Sequence, residues 1–267
     1  MELLEKEEYA IAHTFLPILN TPDFFNVFGG KQGNSMPLDE QGLIRAVESI
    51  ALPNSKCKIV AKTYPIVQIQ TTEYPYKGPF FTDERFLKKV TKQTKHRKKN
   101  LPSLQEILTT LSSLLGTRYL WGGNCPGLSE MIQLYPPKEV LSPEMICNWT
   151  LKGFDCSGLI YYACQGITPR NTSSWISYGK PLLVEGKSIQ EIIKLLKPLD
   201  AIFWKGHILF VYDSFHTIES RVGKGVILTK IEERFLEILE SGKTPKNAWQ
   251  QGVDQFLIRR WHPDSLA

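Results

Sequence analysis

The stretch Gly153-Phe154-Asp155-Cys156-Ser157-Gly158-Leu159-Ile160-Tyr161-Tyr162-Ala163-Cys164 organises the chain. Gly153 breaks whatever precedes it, Asp155 suits a helix N-terminus, and the apolar run after it has helical length, so a helix is predicted over 156–165. Cys156 then falls in the first turn, where free backbone N–H groups and the positive end of the helix dipole favour a thiolate over a thiol. Such a cysteine is either a small residue buried at a helix start or a nucleophile aimed into a cleft. The tight, small turn Asp-Cys-Ser-Gly opening into an apolar helix points to the nucleophile.

Downstream of this helix the chain reads as hairpin-connected strands. Leu199–Trp204, Gly206–Tyr212, Thr217–Ser220, Val226–Ile231 and Phe256–Trp261 are apolar runs punctuated by turns. Ile189–Leu196 is a short helix or turn, and a further helix is expected around Ile231–Leu239. Upstream, Pro102-Ser103 opens a helix over Leu104–Leu115, with apolar residues at 104, 107, 108, 111, 114 and 115, and Gly116 ends it. Residues 124–152 hold four prolines and read as irregular. One helix bearing the nucleophile, followed by a run of strands, is an α+β layout.

Residues 1–90 have a different texture. Ile11–Leu19, Leu43–Leu52, Lys58–Lys62 and Ile66–Gln70 are short strand-like runs separated by turn residues, which suggests a small β-barrel. Residues 22–40 read as a loop. The expected domains are 1–95 and 100–267. Between them, residues 85–99 carry eight of the 32 Lys and Arg and no acid. That run is either a nucleic-acid patch or a solvated basic linker. Apart from Phe86 at its start it has no aromatic residues to stack bases, and the rest of the chain holds 24 bases against 27 acids, so no nucleic-acid partner is expected.

The 267 residues are 42% hydrophobic and 22% charged, ordinary for a globular protein. No apolar run approaches the roughly 18 residues a membrane span needs, so no membrane partner is expected. The acidic start Met1-Glu2-Leu3-Leu4-Glu5-Lys6-Glu7-Glu8 lacks the apolar core of a secretory signal, and a cytoplasmic location is expected. Cys57, Cys125, Cys147, Cys156 and Cys164 form no CxxC pair; free thiols and no zinc site are expected.

A cysteine nucleophile needs a base that also protonates the leaving amine, and a group that orients the base. His207 is the best base, because it starts an apolar strand directly after Gly206. His216, in the following turn, is its rival; His13, His96 and His262 are less apt. The orienting group belongs on the neighbouring strand, where same-face residues touch. Glu219 sits there and either holds the imidazole tautomer or is an exposed strand residue.

These residues carry a resemblance. Tyr119-Leu120-Trp121-Gly122-Gly123, Asp155-Cys156-Ser157-Gly158-Leu159, Pro169-Arg170, Leu196-Lys197-Pro198-Leu199-Asp200, Gly206-His207 and Ile218-Glu219, in this order across roughly residues 100–235, resemble the NlpC family of papain-like cell-wall cysteine peptidases. The resemblance implies a papain-like domain, its nucleophile helix packed on an antiparallel sheet, working without a cofactor. It implies hydrolysis of the γ-D-glutamyl to meso-diaminopimelate bond of peptidoglycan stem peptides. Cys156 is then the nucleophile, His207 the base, and Glu219 occupies the third polar position, often a second histidine in the family.

Leu16–Pro22 and Tyr76-Lys77-Gly78-Pro79-Phe80 faintly resemble the bacterial SH3-like barrel that precedes such peptidases. That layout implies a closed site requiring a free N-terminal L-alanine amine, bound by Asp155, Ser157, Tyr119 and Tyr76. The substrate is then a released peptide such as L-Ala-γ-D-Glu-meso-diaminopimelate, and the protein a monomer. Two departures stand out: 124–152 is longer than the family's usual link and is expected to form an extra lid or wall, and Leu199 replaces the usual glycine of a Lys-Pro-Gly-Asp turn. An amidase or acyltransferase using the same Cys-His pair, or a non-catalytic wall-binding protein, are the alternatives.

Overall fold

The alternating runs of the first hundred residues form seven strands: β1 (Glu2–Ala12), β2 (Leu16–Leu19), β3 (Val47–Ala51), β4 (Lys56–Thr63), β5 (Ile66–Thr71), β6 (Phe80–Asp83) and β7 (Leu87–Val90). This is a computed structural model that describes residues 1–266 and, at residues 3–5, the backbone alone. The strands lie in the order β3-β2-β6-β5-β4-β1-β7, all neighbours antiparallel. The apolar run at 11–19 is broken at His13–Phe15 into two strands, and the acidic N-terminus that precedes it is itself a strand. Opposite charge across the ladder stabilises β1: the Glu7 carboxylate accepts from Lys58 and Lys92 at 2.7 Å each, and that of Glu8 from Lys62 at 2.6 Å.

The expected closed barrel is not formed among the described residues, because the terminal strands β3 and β7 do not pair. The edge of β3 is satisfied by a side chain instead. The Asn124 carboxamide accepts from the Ile50 N–H at 3.0 Å and donates to the Ile50 carbonyl at 2.6 Å.

By its contacts the chain divides into two units, residues 1–100 with 120–155, and residues 101–119 with 156–267. Segment 120–155 therefore belongs with the N-terminal sheet, whereas the expected boundary put it in the second domain. It is also less irregular than expected, with short helices at Glu130–Leu134 and Pro143–Trp149. Leu128, Met131, Tyr135 and Trp149 join Phe24 and Phe28 in one core, and the Tyr135 hydroxyl donates to the buried Asp83 at 2.6 Å. Trp121-Gly122-Gly123 makes the close approach: Gly122 has φ +69° and a Cβ there would sit 2.5 Å from the Val47 carbonyl oxygen. The basic run is folded onto this unit too. Arg97 and Lys99 pair with the buried Glu73 at 2.9 and 3.2 Å, and the Lys56 ammonium donates to the carbonyls of Lys92 and Thr94.

The second unit begins with α1 (Leu104–Ser113), started by a reciprocal Ser103–Glu106 cap. Helix α2 (Cys156–Ala163) follows, and α1 and α2 pack together. Then come α3 (Ile189–Leu195), β8 (Ala201–Trp204), β9 (His207–Val211), β10 (His216–Arg221), β11 (Gly225–Lys230), α4 (Ile231–Glu240) and β12 (Gln255–Arg260). The sheet order is β12-β8-β9-β10-β11, with Lys180–Pro181 beyond β12. Helix α2 lies along β9 and β10. Ile202, Leu209, Val211, Phe256 and Ile258 pack with Ile192 of α3 and with Ile231, Phe235 and Ile238 of α4. This is a mixed α+β unit, as read from the sequence.

Leu199 adopts φ +68°, in the left-handed region that a glycine would occupy freely. It is held there by burial to 1% exposure, by its N–H donating to Val211 at 2.8 Å, and by the Trp261 indole donating to its carbonyl at 2.7 Å. Leu199→Gly should relieve about 1 kcal/mol of backbone strain and forfeit about 3 kcal/mol of packing. A fall in stability of about 2 kcal/mol is therefore expected in urea unfolding; a gain would mean the side chain contributes nothing.

Candidate active site

Cys156 is the first residue of α2, as predicted, and only 6% exposed. The helix is short, so the sulfur's neighbours matter more than the dipole. The Thr172 hydroxyl lies 3.8 Å from Sγ, and the ring of His207 is within hydrogen-bonding reach of the thiol. Beneath the turn, the buried Arg170 of the Pro169-Arg170 block donates through Nη1 to Ser157 Oγ at 3.2 Å.

His207 owes its place to a two-residue turn. Trp204 pairs with His207 across Lys205-Gly206, and Gly206 takes φ +87° to close the loop. The β9–β10 register sets Val211 opposite Thr217, so Glu219, two residues on, shares a face with Leu209 and His207. Glu219 Oε2 meets His207 Nε2 at 2.5 Å. The other ring nitrogen is left for the sulfur. His216 does not compete: it bonds Asp213 at 3.0 Å within its own turn.

The fourth member was not foreseen. Arg234 of α4, 5% exposed, donates from Nε to Glu219 Oε1 at 2.6 Å and from Nη2 to Oε2 at 3.0 Å. This is the two-pronged pairing that fits a guanidinium to a carboxylate. Its Nη1 reaches Glu237 at 2.9 Å, and its guanidinium lies 5.4 Å from the Trp204 ring centre. The Trp204 ring in turn lies 5.0 Å from the imidazole.

Burial of Glu219 would raise its carboxyl; the donors His207 and Arg234 outweigh this and hold it below the ordinary carboxylate range. Burial of His207 would lower its pKa; hydrogen bonds to Cys156 and Glu219 outweigh that and raise it to about 9. An imidazolium beside a sulfur is the counter-ion a thiolate nucleophile requires. The other thiols are free and differently placed: burial pushes Cys57 and Cys125 up to about 12 and raises Cys164 as well, while Cys147 is half-buried. Among the described residues no group of three or more His, Cys, Asp or Glu is placed to hold a metal ion.

Of the other expected site residues, Ser157 and the half-buried Tyr119 belong to the same unit as this constellation. Asp155 and Tyr76 belong to the first unit. There the Asp155 N–H donates to the Gly123 carbonyl at 2.9 Å, and Tyr76 packs edge-on to Tyr74 at 4.7 Å.

No family model matches the chain, and no curated protein matches it. Among solved structures, it is similar to a NlpC/P60 family protein from Bacillus cereus ATCC 10987, at 16% identity and a TM-score of 0.56, over 96% of this chain and 100% of that one. It is also similar to the peptidoglycan hydrolase RipB from Mycobacterium tuberculosis, at 18% identity and a TM-score of 0.36, over 59% of this chain and 63% of that one. RipD from the same organism, a non-catalytic NlpC/p60 domain protein adapted to peptidoglycan binding, matches at 17% identity and a TM-score of 0.35, over 59% and 95%. The first of these likenesses gives the fold, the mixed α+β fold of a NlpC/P60 protein.

Because His207 is raised from 6.5 to about 9, its contribution to stability is whole below pH 6.5 and fades as the pH passes 9. Any turnover that uses the imidazolium should fall over the same alkaline interval. Glu219→Gln should draw that alkaline limb down by about 1–2 units, and cost about 3 kcal/mol in urea because Arg234 stays buried without its main partner. An unmoved limb in the pH–rate profile would show that Glu219 does not act through His207.

Proposed function

We propose that this protein is a cysteine peptidase that hydrolyses the γ-D-glutamyl to meso-diaminopimelate bond of peptidoglycan stem peptides bearing a free N-terminal L-alanine. The observation that carries the reading is the connected set Cys156, His207, Glu219 and Arg234, each side chain at least nine-tenths buried apart from His207, whose side chain is 18% exposed. The likeness in fold to the NlpC/P60 protein from B. cereus supports it.

The residues divide the reaction as follows. The Cys156 thiolate attacks the γ-carbonyl carbon of D-glutamate, and the imidazolium of His207 gives its proton to the departing nitrogen as the C–N bond breaks. The products of this step are a thioester on Cys156 and the free amine of diaminopimelate. Neutral His207 then takes a proton from water as its oxygen attacks the thioester carbon; the C–S bond breaks, the L-Ala-γ-D-Glu acid leaves, and the Cys156 thiolate beside the imidazolium is restored. Glu219 keeps the imidazole tautomer and orientation through both steps, and Arg234 keeps Glu219 ionised. The expected recognition of the substrate ammonium by Asp155, Ser157, Tyr119 and Tyr76 belongs to the same proposal.

Mass spectrometry of L-Ala-γ-D-Glu-meso-diaminopimelate incubated with the protein tests it. Release of L-Ala-γ-D-Glu and diaminopimelate is expected, with Cys156→Ala lowering the rate by about 10³-fold or more. N-acetylation of the alanine should slow cleavage by at least about tenfold, since a buried carboxylate would lose its cation. Undiminished turnover in Cys156→Ala would remove the nucleophile, and equal cleavage of the acetylated peptide would remove the amine requirement. Transfer of the acyl group to an added amine in place of hydrolysis would make the protein an acyltransferase.

A further inference from the structure

Strand β10 and helix α4 meet with two charged residues apiece. Glu219 and Arg221, two apart on the strand, share one face of the sheet, and Arg234 and Glu237, three apart on the helix, share one face of the helix. The four close into a ring in which the sign of charge alternates. Arg234 donates to Glu219 at 2.6 and 3.0 Å, and from Nη1 to Glu237 at 2.9 Å. Arg221 donates to Glu237 at 2.8 Å and lies 3.9 Å from Glu219 Oε1, which completes the circuit. Half of the ring is buried and half is open. Glu219 and Arg234 are shut away, whereas the side chains of Arg221 and Glu237 are 25% and 41% exposed. This outer pair lines a cavity of about 560 Å³ that His207 and Trp204 also border.

Glu219 holds the proton of His207 by offering Nε2 a carboxylate oxygen. Each guanidinium close to that carboxylate offsets the field the imidazolium feels. Glu237 counters both guanidiniums, because it accepts from each of them. Without its charge, two cations would have Glu219 as the one carboxylate left in the ring, and the imidazole proton would be held less firmly. Without the charge of Arg221, Glu237 would turn wholly to Arg234, Glu219 would be left more to the imidazole, and the proton would be held more firmly. The other charged groups around His207 lie outside the ring. Cys156 approaches from α2, on the sulfur side. Lys205, in the turn before His207, and Glu240, at the end of α4, are exposed. Lys243 donates to the Ser241 hydroxyl at 3.0 Å and lies 5.4 Å from the Trp204 ring centre.

We propose that Arg221 and Glu237 are positioning residues for His207: they close the charge ring on Glu219 and Arg234, and with opposite sign they set how firmly Glu219 holds the imidazole proton. The catalytic centre is thereby tuned from a cavity wall on the side of His207 away from the sulfur, by two side chains that touch neither the sulfur nor the imidazole. Their effect on the reaction rests on the peptidase reading above; their effect on His207 does not.

Glu237→Gln and Arg221→Gln, made singly and together, test this in two measurements. The first follows the ring-proton resonance of His207 against pH by NMR in the Cys156→Ala background, which needs no turnover. Glu237→Gln should bring the midpoint down by about half a pH unit, Arg221→Gln should take it up by about as much, and the double variant should lie close to the unaltered ring. A merely structural part for these residues would loosen the site and move both variants the same way. Shifts of one sign, shifts of reversed sign, or no shift would overturn the proposal. The second follows the alkaline limb of kcat/KM for L-Ala-γ-D-Glu-meso-diaminopimelate with Cys156 intact, which should move with the same two signs. A limb that stays in place while the resonance moves would overturn the role in the reaction. Resonance shifts as expected with no peptide cleaved would leave the ring acting on His207 and remove the peptidase reading.

Discussion

A carboxylate with none of its surface in contact with water has to be neutralised or supplied with donors. Glu219 is supplied by two: an imidazole from the adjacent strand and a guanidinium from a helix that arrives after the next strand. The rest of the second unit can be understood as the means of bringing these three groups to one point. The β9–β10 register sets Glu219 on the face of His207, and the burial of Phe235 and Ile238 turns Arg234 inward. Trp204 lies against both the imidazole and the guanidinium and limits water at the charged contact. In a low-dielectric setting such a network is stable only when each member is satisfied.

Much of this was legible in the sequence, for identifiable reasons. Cys156 could be placed because a helix start has a local signature in Asp155 and the apolar run beyond it. His207 and Glu219 could be placed because strand registry is periodic and the turn between them is short. Arg234 could not. It is one of several charged residues in Ile231–Glu240, and only the three-dimensional course of that helix distinguishes it from Glu232 and Glu233, which are exposed. Thr172 escaped for the same reason, since nothing in a polar loop marks which hydroxyl approaches a sulfur.

The first unit shows the reverse failure, in which local pattern was right and closure was wrong. Its short strands were readable, but a barrel needs its first and last strands to meet, and that depends on partners far along the chain. Asn124 occupies the edge of β3 from about 74 residues away in sequence, and the carboxamide supplies what a strand would have. The acidic N-terminus was passed over as a strand because its pattern is one of charge. The lysines that complement it lie on β4 and just after β7. Residues 124–152, with their prolines, read as irregular because their apolar residues are spaced for contact with Phe24 and Phe28 and not for a long helix of their own.

Five thiols in one chain invite cross-reaction, yet they are chemically unequal. Three are kept as neutral thiols by the apolar surroundings that bury them, and one alone has an imidazole beside it. The fold thereby grants the molecule an intrinsic chemoselectivity. A mild electrophile offered at neutral pH meets one sulfur with an imidazole beside it, and the packing that silences Cys57 and Cys125 is the apolar core of the first unit itself.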